Sequence, residues 1–285
     1  MSGEEPRSKA DVLVEALPYI QRFRARVVVV KYGGAAMTDP DLSSLFAQDV
    51  VLMRSVGMRP VVVHGGGPQI GGLMRRLGME PEFRDGLRVT DAETLDVARM
   101  VLVGKVNRDI VSAINVHEPV AVGLSGEDAG LITASPRHPD LGYVGNVDAV
   151  NPGILERLLA EDLIPVVATI GTDLEGQAYN INADTAAGAV AEALRAEKLV
   201  YLTDVVGVLR DLSEPDSLIT TASADELEKL IDEEVLTGGM IPKVRSCARA
   251  VRNGVAHAHI LDGRVPHALL LEMLTRDGIG TMVSP

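Results

Sequence analysis

The stretch VVVVKYGGAAM, residues 27–37, decides the fold class of this chain. Its four consecutive valines are typical of a strand buried on both faces, as in parallel sheets that helices cover. The strand runs directly into Lys31 and the glycine pair Gly33 and Gly34. A second stretch, PVVVHGGGPQI at residues 60–70, repeats the pattern with three glycines. Both stretches therefore predict strand-to-helix turns of an α/β protein.

Outward from these two stretches, predicted strands alternate with predicted helices along the whole chain. Apolar runs predict further strands at residues 83–89, 120–124, 164–170, 199–202 and 258–261, with short strands or a hairpin within 131–150. Helix starts and periodicity predict helices at residues 39–56, 90–115 (opened by a capping box at 90–93), 182–194, 242–253 and 267–275. This order predicts a three-layer αβα sandwich with a mostly parallel central sheet.

The segment before the first strand is predicted to be an appendage to this sandwich. Residues 11–26 place apolar side chains at helical spacing, although Pro18 is expected to bend or interrupt the helix, and residues 1–10 are expected to fray. An apolar helical face at this place needs a partner, either its own domain or another subunit. We therefore divide the chain into an extension, 1–26, and two parts, 27–195 and 196–285.

Composition narrows the function classes. The 285 residues are 46% hydrophobic and carry a formal net charge of −13, which disfavours general nucleic-acid binding because phosphates would be repelled. The single cysteine, Cys247, forms no internal disulfide, and no cysteine cluster suggests zinc. No stretch has the length and apolarity of a signal peptide or a membrane span. We expect a soluble, cytoplasmic protein without a membrane partner.

The two glycine turns predict an anion site. In open α/β sheets, ligands bind beyond the carboxyl ends of the strands, where glycines let backbone N–H groups approach an anion. One such turn would be explained by chain geometry alone, but two turns, one flanked by Lys31, favour a phosphate or carboxylate site. The chain lacks both the P-loop pattern and the G-x-G-x-x-G dinucleotide pattern.

Three further places carry polar side chains with two readings each. Asn180, Asn182 and Asp184 stand before an alanine-rich helix, where they either cap the helix or orient lysines and a substrate. Lys243 is predicted in the first turn of a helix, where it opposes the helix dipole, and such rule-breaking is more expected at a functional site. Arg88 could clamp a carboxylate, but taken alone it is better read as a surface charge.

Taken together, these segments resemble the acetylglutamate kinases of the amino acid kinase family. The matching segments run in family order and cover nearly the whole chain. The glycine turns are shared with carbamate, aspartate and uridylate kinases, whereas GLRVTD (86–91) and NINADTAAGA (180–189) followed by TGGMIPKV (237–244) are more specific to the acetylglutamate branch. Ala35 and Glu127 depart from the family, which often has Asn and Lys at these positions.

The resemblance implies ATP-dependent phosphorylation of the side-chain carboxylate of N-acetyl-L-glutamate, a step of arginine biosynthesis. Mg²⁺ would be bound through the ATP phosphates, with no protein metal site. Residues 27–195 would bind acetylglutamate and dimerise, and residues 196–285 would bind ATP.

The resemblance also implies roles for individual residues. Lys31 and Lys243 would stabilise the transferring phosphoryl group, and Asp184 would hold both lysines. Substrate would be bound by Gly34, Gly66, Gly67, Arg88 and Asn180. The nucleotide would lie along Gly33, Asp204, Val205, Val206, Gly207, Val208, Leu209, Val235, Leu236 and Thr237.

The N-terminal helix and residues 269–282 resemble the arginine-inhibited subgroup of these kinases. In that subgroup the extra helix links dimers into a hexameric ring, so a homo-oligomer, dimer or hexamer, is expected. Arginine would bind as an inhibitor in a site lined by Tyr19, Lys198, Glu272 and Gly280.

Two other functions stay open at this stage. One is a related acyl-phosphate kinase with a carrier-linked aminoadipate or similar substrate, against which GLRVTD and Asn180 argue. The other is a non-catalytic regulatory module on the same fold, which has no need to keep Lys31, Asp184 and Lys243 together.

Overall fold

In the computed structural model, which describes residues 4–211, 213–236, 240–276 and 278–285, an eight-stranded sheet forms the centre of the molecule. From edge to edge its strands are β14 (Thr221–Ser223), β16 (Thr281–Ser284), β15 (His257–Asp262), β11 (Lys198–Thr203), β1 (Val27–Tyr32), β2 (Arg59–His64), β8 (Ile164–Ala168) and β5 (Ala121–Ser125). Neighbouring strands run parallel apart from β15 and β16, which pair antiparallel. The valine strand β1 lies inside the sheet, as its apolar sequence requires.

Helices cover both faces of this sheet. Side chains alternate along a strand, so Val28 and Val30 of β1 enter one hydrophobic cluster and Val29 enters the other. The first cluster is closed by α2 (Pro40–Ser55), α3 (Gly67–Arg76), α4 (Ala92–Arg99), α5 (Asn107–Asn115) and α10 (Ala268–Leu274). The second is closed by α6 (Gly153–Ala160), α7 (Ala183–Ala193), α8 (Ala224–Asp232) and α9 (Met240–Arg252). The predicted αβα sandwich with a mostly parallel central sheet is confirmed.

Smaller sheets extend this frame beside the carboxyl ends of the strands. Four short strands close on one another: β6 (Ile132–Pro136), β7 (Val144–Val150), β9 (Ile170–Thr172) and β10 (Ala178–Ile181). The antiparallel pairing of β6 with β7 confirms the hairpin predicted within residues 131–150. A two-stranded ribbon joins β12 (Val208–Leu209) to β13 (Leu218–Ile219).

Two predicted strands are wrong in detail. The single strand expected at residues 83–89 is a hairpin of β3 (Phe83–Arg84) and β4 (Leu87–Arg88). Its turn residues Asp85 and Gly86 have φ values of 51° and 76°, and two such residues form the turn whose twist suits a tight hairpin. The strand expected at residues 164–170 ends at Ala168 and resumes as β9 in the other sheet.

The N-terminal extension is more regular than expected. A helix, α1 (Glu4–Phe23), includes residues predicted to fray and continues through Pro18, so fraying after residue 3 and an interruption at Pro18 are both wrong. Pro18 removes one N–H donor, but the carbonyl that loses its partner belongs to Val14, which is exposed and open to solvent. In the described part of the chain, no helix combines the length and apolarity that crossing a membrane demands.

The long helix predicted from residue 90 begins one residue later than the expected capping box. Asp91 is the cap, because its carboxylate accepts from the Thr94 N–H at 2.8 Å. Thr90 is buried, and its hydroxyl donates to the Arg88 carbonyl at 2.9 Å, so it faces inward instead of capping. The helix passes through a π-helical turn, Met100–Val106, before it continues as α5.

Replacing the cap should cost stability in a way that depends on hydrogen bonding. We expect Asp91→Ala to lower the free energy of unfolding by about 1 kcal/mol and Asp91→Asn by much less, because an Asn side chain also accepts from a helix N–H. Urea unfolding of the two variants beside the unaltered protein measures this. An equal loss in both variants would show that the charge matters rather than the cap.

Candidate active site

The two glycine turns meet at one edge of the central sheet. Strands β1 and β2 are parallel neighbours in which Tyr32 pairs with His64, so the residues that follow each strand lie side by side. The N-terminal end of α3 begins directly at Gly67, and α7 begins beside it at Ala183, which a side chain on Gly65 would touch. Two helix N-termini therefore face the same small space, and both favour negative charge there.

A carboxylate shared by two lysines lies at the centre of this space. The Lys31 Nζ lies 3.0 Å from Asp184 Oδ1, and the Lys243 Nζ lies 2.8 Å from Asp184 Oδ2. The exposed fractions of the three side chains are 11% for Lys31, 15% for Asp184 and 23% for Lys243. The structure thus brings together three residues that are far apart in the sequence, at positions 31, 184 and 243.

Electrostatics explain why this cluster is stable. Burial alone raises the pKa of Asp184, but the charges of Lys31 and Lys243 and their hydrogen bonds outweigh burial and leave that pKa below its ordinary value. Asp184 is therefore ionised at neutral pH. It also compensates Lys243, which lies in the first turn of α9 and opposes that helix dipole.

A second layer of hydrogen bonds fixes Asp184, and the sequence analysis missed it. The Tyr201 hydroxyl of β11 donates to the Asp184 carbonyl at 3.2 Å and lies 2.7 Å from the Ser246 Oγ of α9. Gly188 of α7 makes this approach possible, because a Cβ there would lie 3.2 Å from the Ser246 Oγ. These bonds join the strand and helices that carry the central residues, and only the assembled fold shows them.

The first glycine turn is held by a residue that we had assigned to the nucleotide. Asp204 follows β11, and its Oδ1 accepts from the Ala35 N–H at 2.6 Å. Gly34 has a φ of 70°, and a Cβ there would overlap the Asp204 carboxylate, so only glycine is accommodated. At Gly33 a Cβ would lie 2.7 Å from the Lys31 Nζ, which means that the lysine folds back over its own turn.

A cavity beside the second glycine turn is lined by four of the five predicted substrate residues, and Gly34 is not among its lining residues. It has a volume of about 150 Å³, and its lining includes Gly66, Gly67, Arg88 and Asn180. Arg88 is only 7% exposed, so the reading of Arg88 as a surface charge is wrong. Its guanidinium donates to the Gly67 carbonyl at 2.9 Å and lies 4.7 Å from the centre of the Phe83 ring.

The charge of Arg88 has no carboxylate partner among the described residues. A buried guanidinium without a counter-ion is costly, and a bound anion would compensate it. On the other side of the cavity, the Asn180 Nδ2 donates to the Thr90 Oγ1 at 3.3 Å. The Thr90 hydroxyl can accept this hydrogen bond because Asp91, and not Thr90, caps α4.

The residues predicted to contact a nucleotide differ in how exposed their side chains are. Val205 and Val206 are exposed, whereas the side chains of Val208 and Leu236 are buried in the second hydrophobic cluster. A ligand on this surface could therefore reach only the backbone of the latter two residues. Thr237 lies outside the described residues.

The four residues predicted to bind arginine line one cavity of about 520 Å³ at the opposite end of β11. The Lys198 Nζ lies 3.2 Å from Glu272 Oε1, and the same oxygen lies 2.7 Å from His259 Nδ1. Phe23, from the end of α1, places its ring 5.1 Å from the Lys198 Nζ. Neither Phe23 nor His259 is predicted from the sequence, although alternation along β15 indicates which of its residues share a face with His259.

Comparison with known proteins agrees with this geometry. A model of the amino acid kinase family matches residues 26–262. The chain belongs to the amino acid kinase family. Relatives within it include the acetylglutamate kinase of Acidothermus cellulolyticus, 56% identical over 98% of this chain and 97% of that protein, and that of Trichodesmium erythraeum, 53% identical over 99% and 97%.

Solved structures of similar fold include other enzymes. The N-acetylglutamate synthase of Neisseria gonorrhoeae complexed with coenzyme A and N-acetyl-glutamate superposes with a TM-score of 0.85 at 30% identity, over 97% of this chain. This chain spans 63% of that synthase's length. Carbamate kinase from Giardia lamblia bound to AMP-PNP has a TM-score of 0.68 at 18% identity, which shows the shared fold alone.

The shared carboxylate yields a prediction on stability and pH. We expect Asp184→Asn to lower the free energy of unfolding at pH 7 by roughly 3 kcal/mol, because two buried ammonium groups lose their counter-ion. The pKa of Asp184 is lowered on folding, so its contribution is fully present above the unfolded-state value near 3.8 and is lost only as pH falls through the folded-state value.

The difference between Asp184→Asn and the unaltered protein should therefore stay constant between pH 5 and pH 8. Chemical denaturation at several pH values in this range measures it. A difference that shrinks steadily as pH falls from 8 to 5 would contradict the lowered pKa.

Proposed function

We propose that this protein transfers the γ-phosphoryl group of ATP to the side-chain carboxylate of N-acetyl-L-glutamate, as a step of arginine biosynthesis. The observation that carries the proposal is the Lys31–Asp184–Lys243 cluster beside a cavity that holds Arg88, which is buried and has no carboxylate partner within the described part of the chain. Near-full-length relatives named acetylglutamate kinase support the choice of acceptor. The product is an acyl phosphate.

The chemistry asks little more than positioning and charge. The acceptor carboxylate is ionised at neutral pH and attacks phosphorus directly, so no general base is needed. Charge spreads over the equatorial oxygens of the transferring group, and Lys31 and Lys243 face it from two sides. Asp184 holds one ammonium group at each of its two oxygens, which pre-organises both groups before the substrates arrive.

The acceptor is oriented by the cavity next to the cluster. The fork of Arg88 suits the carboxylate that does not react, and Asn180 offers an amide to the acetylated end. The N–H groups of Gly66 and Gly67, at the start of α3, would donate to the charge that develops between the substrates. Gly34, beside Lys31, contributes in the same way from the first turn.

The hydrogen-bond donors of the site suit a polyphosphate chain whose phosphates, and not the protein, bind the metal ion. Both oxygens of Asp184 are engaged by lysines, so what this cluster and the glycine turns beside it offer a ligand is ammonium groups and backbone N–H donors. These groups fit phosphate oxygens rather than a bare cation. Mg²⁺ held by the ATP phosphates would neutralise charge on the phosphoryl group during transfer.

We also propose a division of labour within the single sheet. Residues 27–195 supply Arg88, Asn180 and both glycine turns, and they would hold acetylglutamate and form the dimer. Residues 196–285 supply Lys243 and the strand end at Asp204, and they would hold ATP. The supporting observation is that the boundary falls between β1 and β11, which pair directly and place Lys31 beside Tyr201.

Arginine is proposed as an inhibitor that binds between α1 and the end of the chain. The cavity there contains a buried carboxylate, Glu272, which could exchange Lys198 for a ligand guanidinium. A synthase of similar fold, 29% identical, has been solved in complex with L-arginine. The apolar side chains of Val12, Leu13 and Leu17 on α1 are exposed, and another subunit covering them would give the proposed dimer-linked hexamer.

Turnover with a trapped product tests the activity. We expect hydroxamate to form from Mg-ATP and N-acetyl-L-glutamate, and not from free glutamate, aspartate or carbamate. Lys243→Ala should lower kcat by roughly 10²–10³-fold, because one charge that faces the transferring group is lost. Lys105→Ala, which breaks an exposed pair with Asp109, is the matched control and should leave kcat unchanged. No product with any acceptor would refute the proposed reaction.

Inhibition by arginine has its own test. We expect millimolar L-arginine to slow turnover of the unaltered protein, and Glu272→Gln to weaken that response at least tenfold, because a neutral side chain no longer pairs with a guanidinium. Asp109→Asn, an exposed carboxylate from the Lys105 pair, controls for a general loss of negative charge. A turnover rate indifferent to millimolar arginine would remove the inhibitor from the proposal.

A further inference from the structure

The histidine that ends β2, His64, is fully buried behind the second glycine turn, and both of its ring nitrogens have partners. Its Nδ1 lies 2.9 Å from the Gly65 carbonyl oxygen. Its Nε2 lies 3.1 Å from the Asn107 Nδ2. Asn107 is itself fully buried, at the start of α5.

The surroundings of Asn107 decide which nitrogen of His64 carries the proton. The Asn107 Nδ2 donates to the Val166 carbonyl at 2.8 Å and approaches the Leu124 carbonyl at 3.3 Å, while the Arg108 guanidinium donates to the Asn107 Oδ1. The amide nitrogen therefore faces His64 as a donor, and Nε2 must accept. The proton consequently sits on Nδ1 and is donated to the Gly65 carbonyl.

Burial also keeps this tautomer neutral. Burial lowers the pKa of His64 to about 4, although the bond to Gly65 raises it and the nearby Arg108 lowers it further. A second proton at Nε2 would point at an amide N–H that it cannot bond. His64 is thus unsuited to proton transfer at neutral pH. What remains is its Nδ1–H group, which donates to the Gly65 carbonyl.

Through the peptide bond between Gly65 and Gly66, the His64 Nδ1–H group also sets the direction of the Gly66 N–H. In a trans peptide the C=O and the next N–H point in opposite directions, so fixing the Gly65 carbonyl toward the buried ring turns the Gly66 N–H the other way. Gly65 and Gly66 line the cavity that also holds Arg88. Among the residues that the structure describes, none accepts a hydrogen bond from the Gly66 N–H.

We propose that His64 is a positioning residue that aims the Gly66 N–H at the reacting groups by holding the Gly65 carbonyl from behind. The inference rests on the proposed kinase function and deepens it. The π-helical turn Met100–Val106 supports the arrangement, because it brings Leu102 against Gly66, where a Cβ would lie only 2.7 Å from the Leu102 Cδ2. Such turns often occur at functional sites, and this one delivers Asn107 to His64.

Two substitutions separate the two ring nitrogens. His64→Asn places an amide donor where Nδ1 stood, so it keeps the bond to Gly65 and loses the one to Asn107. His64→Gln reaches the position of Nε2, so it keeps the bond to Asn107 and loses the one to Gly65. In His64→Asn, the Asn107 amide retains the Val166 and Leu124 carbonyls as acceptors.

We expect His64→Gln to lower kcat by about 10²-fold with little change in either KM, because the lost donor acts mainly on charge in the transition state. His64→Asn should rescue most of that loss. Asn115→Ala is the control: it removes two hydrogen bonds to Ala121 at the opposite end of α5, and should lower the melting temperature without lowering kcat. The pH profile of kcat should be the same in every active variant.

Several outcomes would overturn the inference. Equal losses of kcat in His64→Asn and His64→Gln, or losses that merely follow melting temperature across all three variants, would make His64 a structural residue. A pH limb that disappears on substitution would make it a proton-transfer group. The ¹⁵N shifts of the His64 ring test the tautomer without turnover: a protonated Nδ1, unchanged from pH 6 to 9, is expected, and a protonated Nε2 refutes it.

The failure of the proposed function would look different. A wild-type protein that forms no hydroxamate with any acceptor overturns the kinase reaction, and with it the effect of His64 on kcat. A wild type that turns over normally while His64→Gln does the same overturns the inference alone.

Discussion

The carboxylate of Asp184, held between two ammonium groups, is the constraint on which the site depends. Two lysines in a largely buried space repel each other, and without an anion between them one ammonium group would turn to solvent. The anion comes from the first turn of α7, where the helix dipole favours negative charge. The same carboxylate offsets the unfavourable place of Lys243 at the start of α9. The Asp184 side chain thus pairs with two cations and has a favourable interaction with the α7 dipole.

The register of the central sheet supports this arrangement from below. Lys31 of β1 pairs directly with Tyr201 of β11, and the Tyr201 hydroxyl reaches the Asp184 carbonyl. The position of the lysine and the position of its counter-ion are therefore set by the same pair of strands. A slip of one residue between β1 and β11 would turn Tyr201 to the other face and break both relations.

Local sequence features were enough to predict the sandwich and part of the site, because each depends on neighbours along the chain. The valine strands and the glycine turns are of this kind. The choice between Thr90 and Asp91 as helix cap is not, since both can cap and only the fold decides which one faces inward. Arg88 was misread for the same reason: its burial comes from Gly67 and Phe83, which the sequence does not place beside it. The contacts of Tyr201 and Ser246 with Asp184 join distant parts of the sequence, so only the folded structure reveals them.

Strand β11 runs from the cavity that contains Glu272 to the first glycine turn, and it limits how these two places can communicate. Lys198, its first residue, lies in the cavity with Glu272, and Asp204, just beyond its last residue, holds the Ala35 N–H. The two places are about 20 Å apart along a strand that is hydrogen-bonded on both sides, to β1 and β15. Such a strand cannot slide alone. An arginine that acts on the phosphoryl site, as proposed, must therefore move larger bodies. The helix α1 is suited to this role, since its end contributes Phe23 to the cavity proposed for arginine while its apolar side chains are exposed, where another subunit is proposed to cover them.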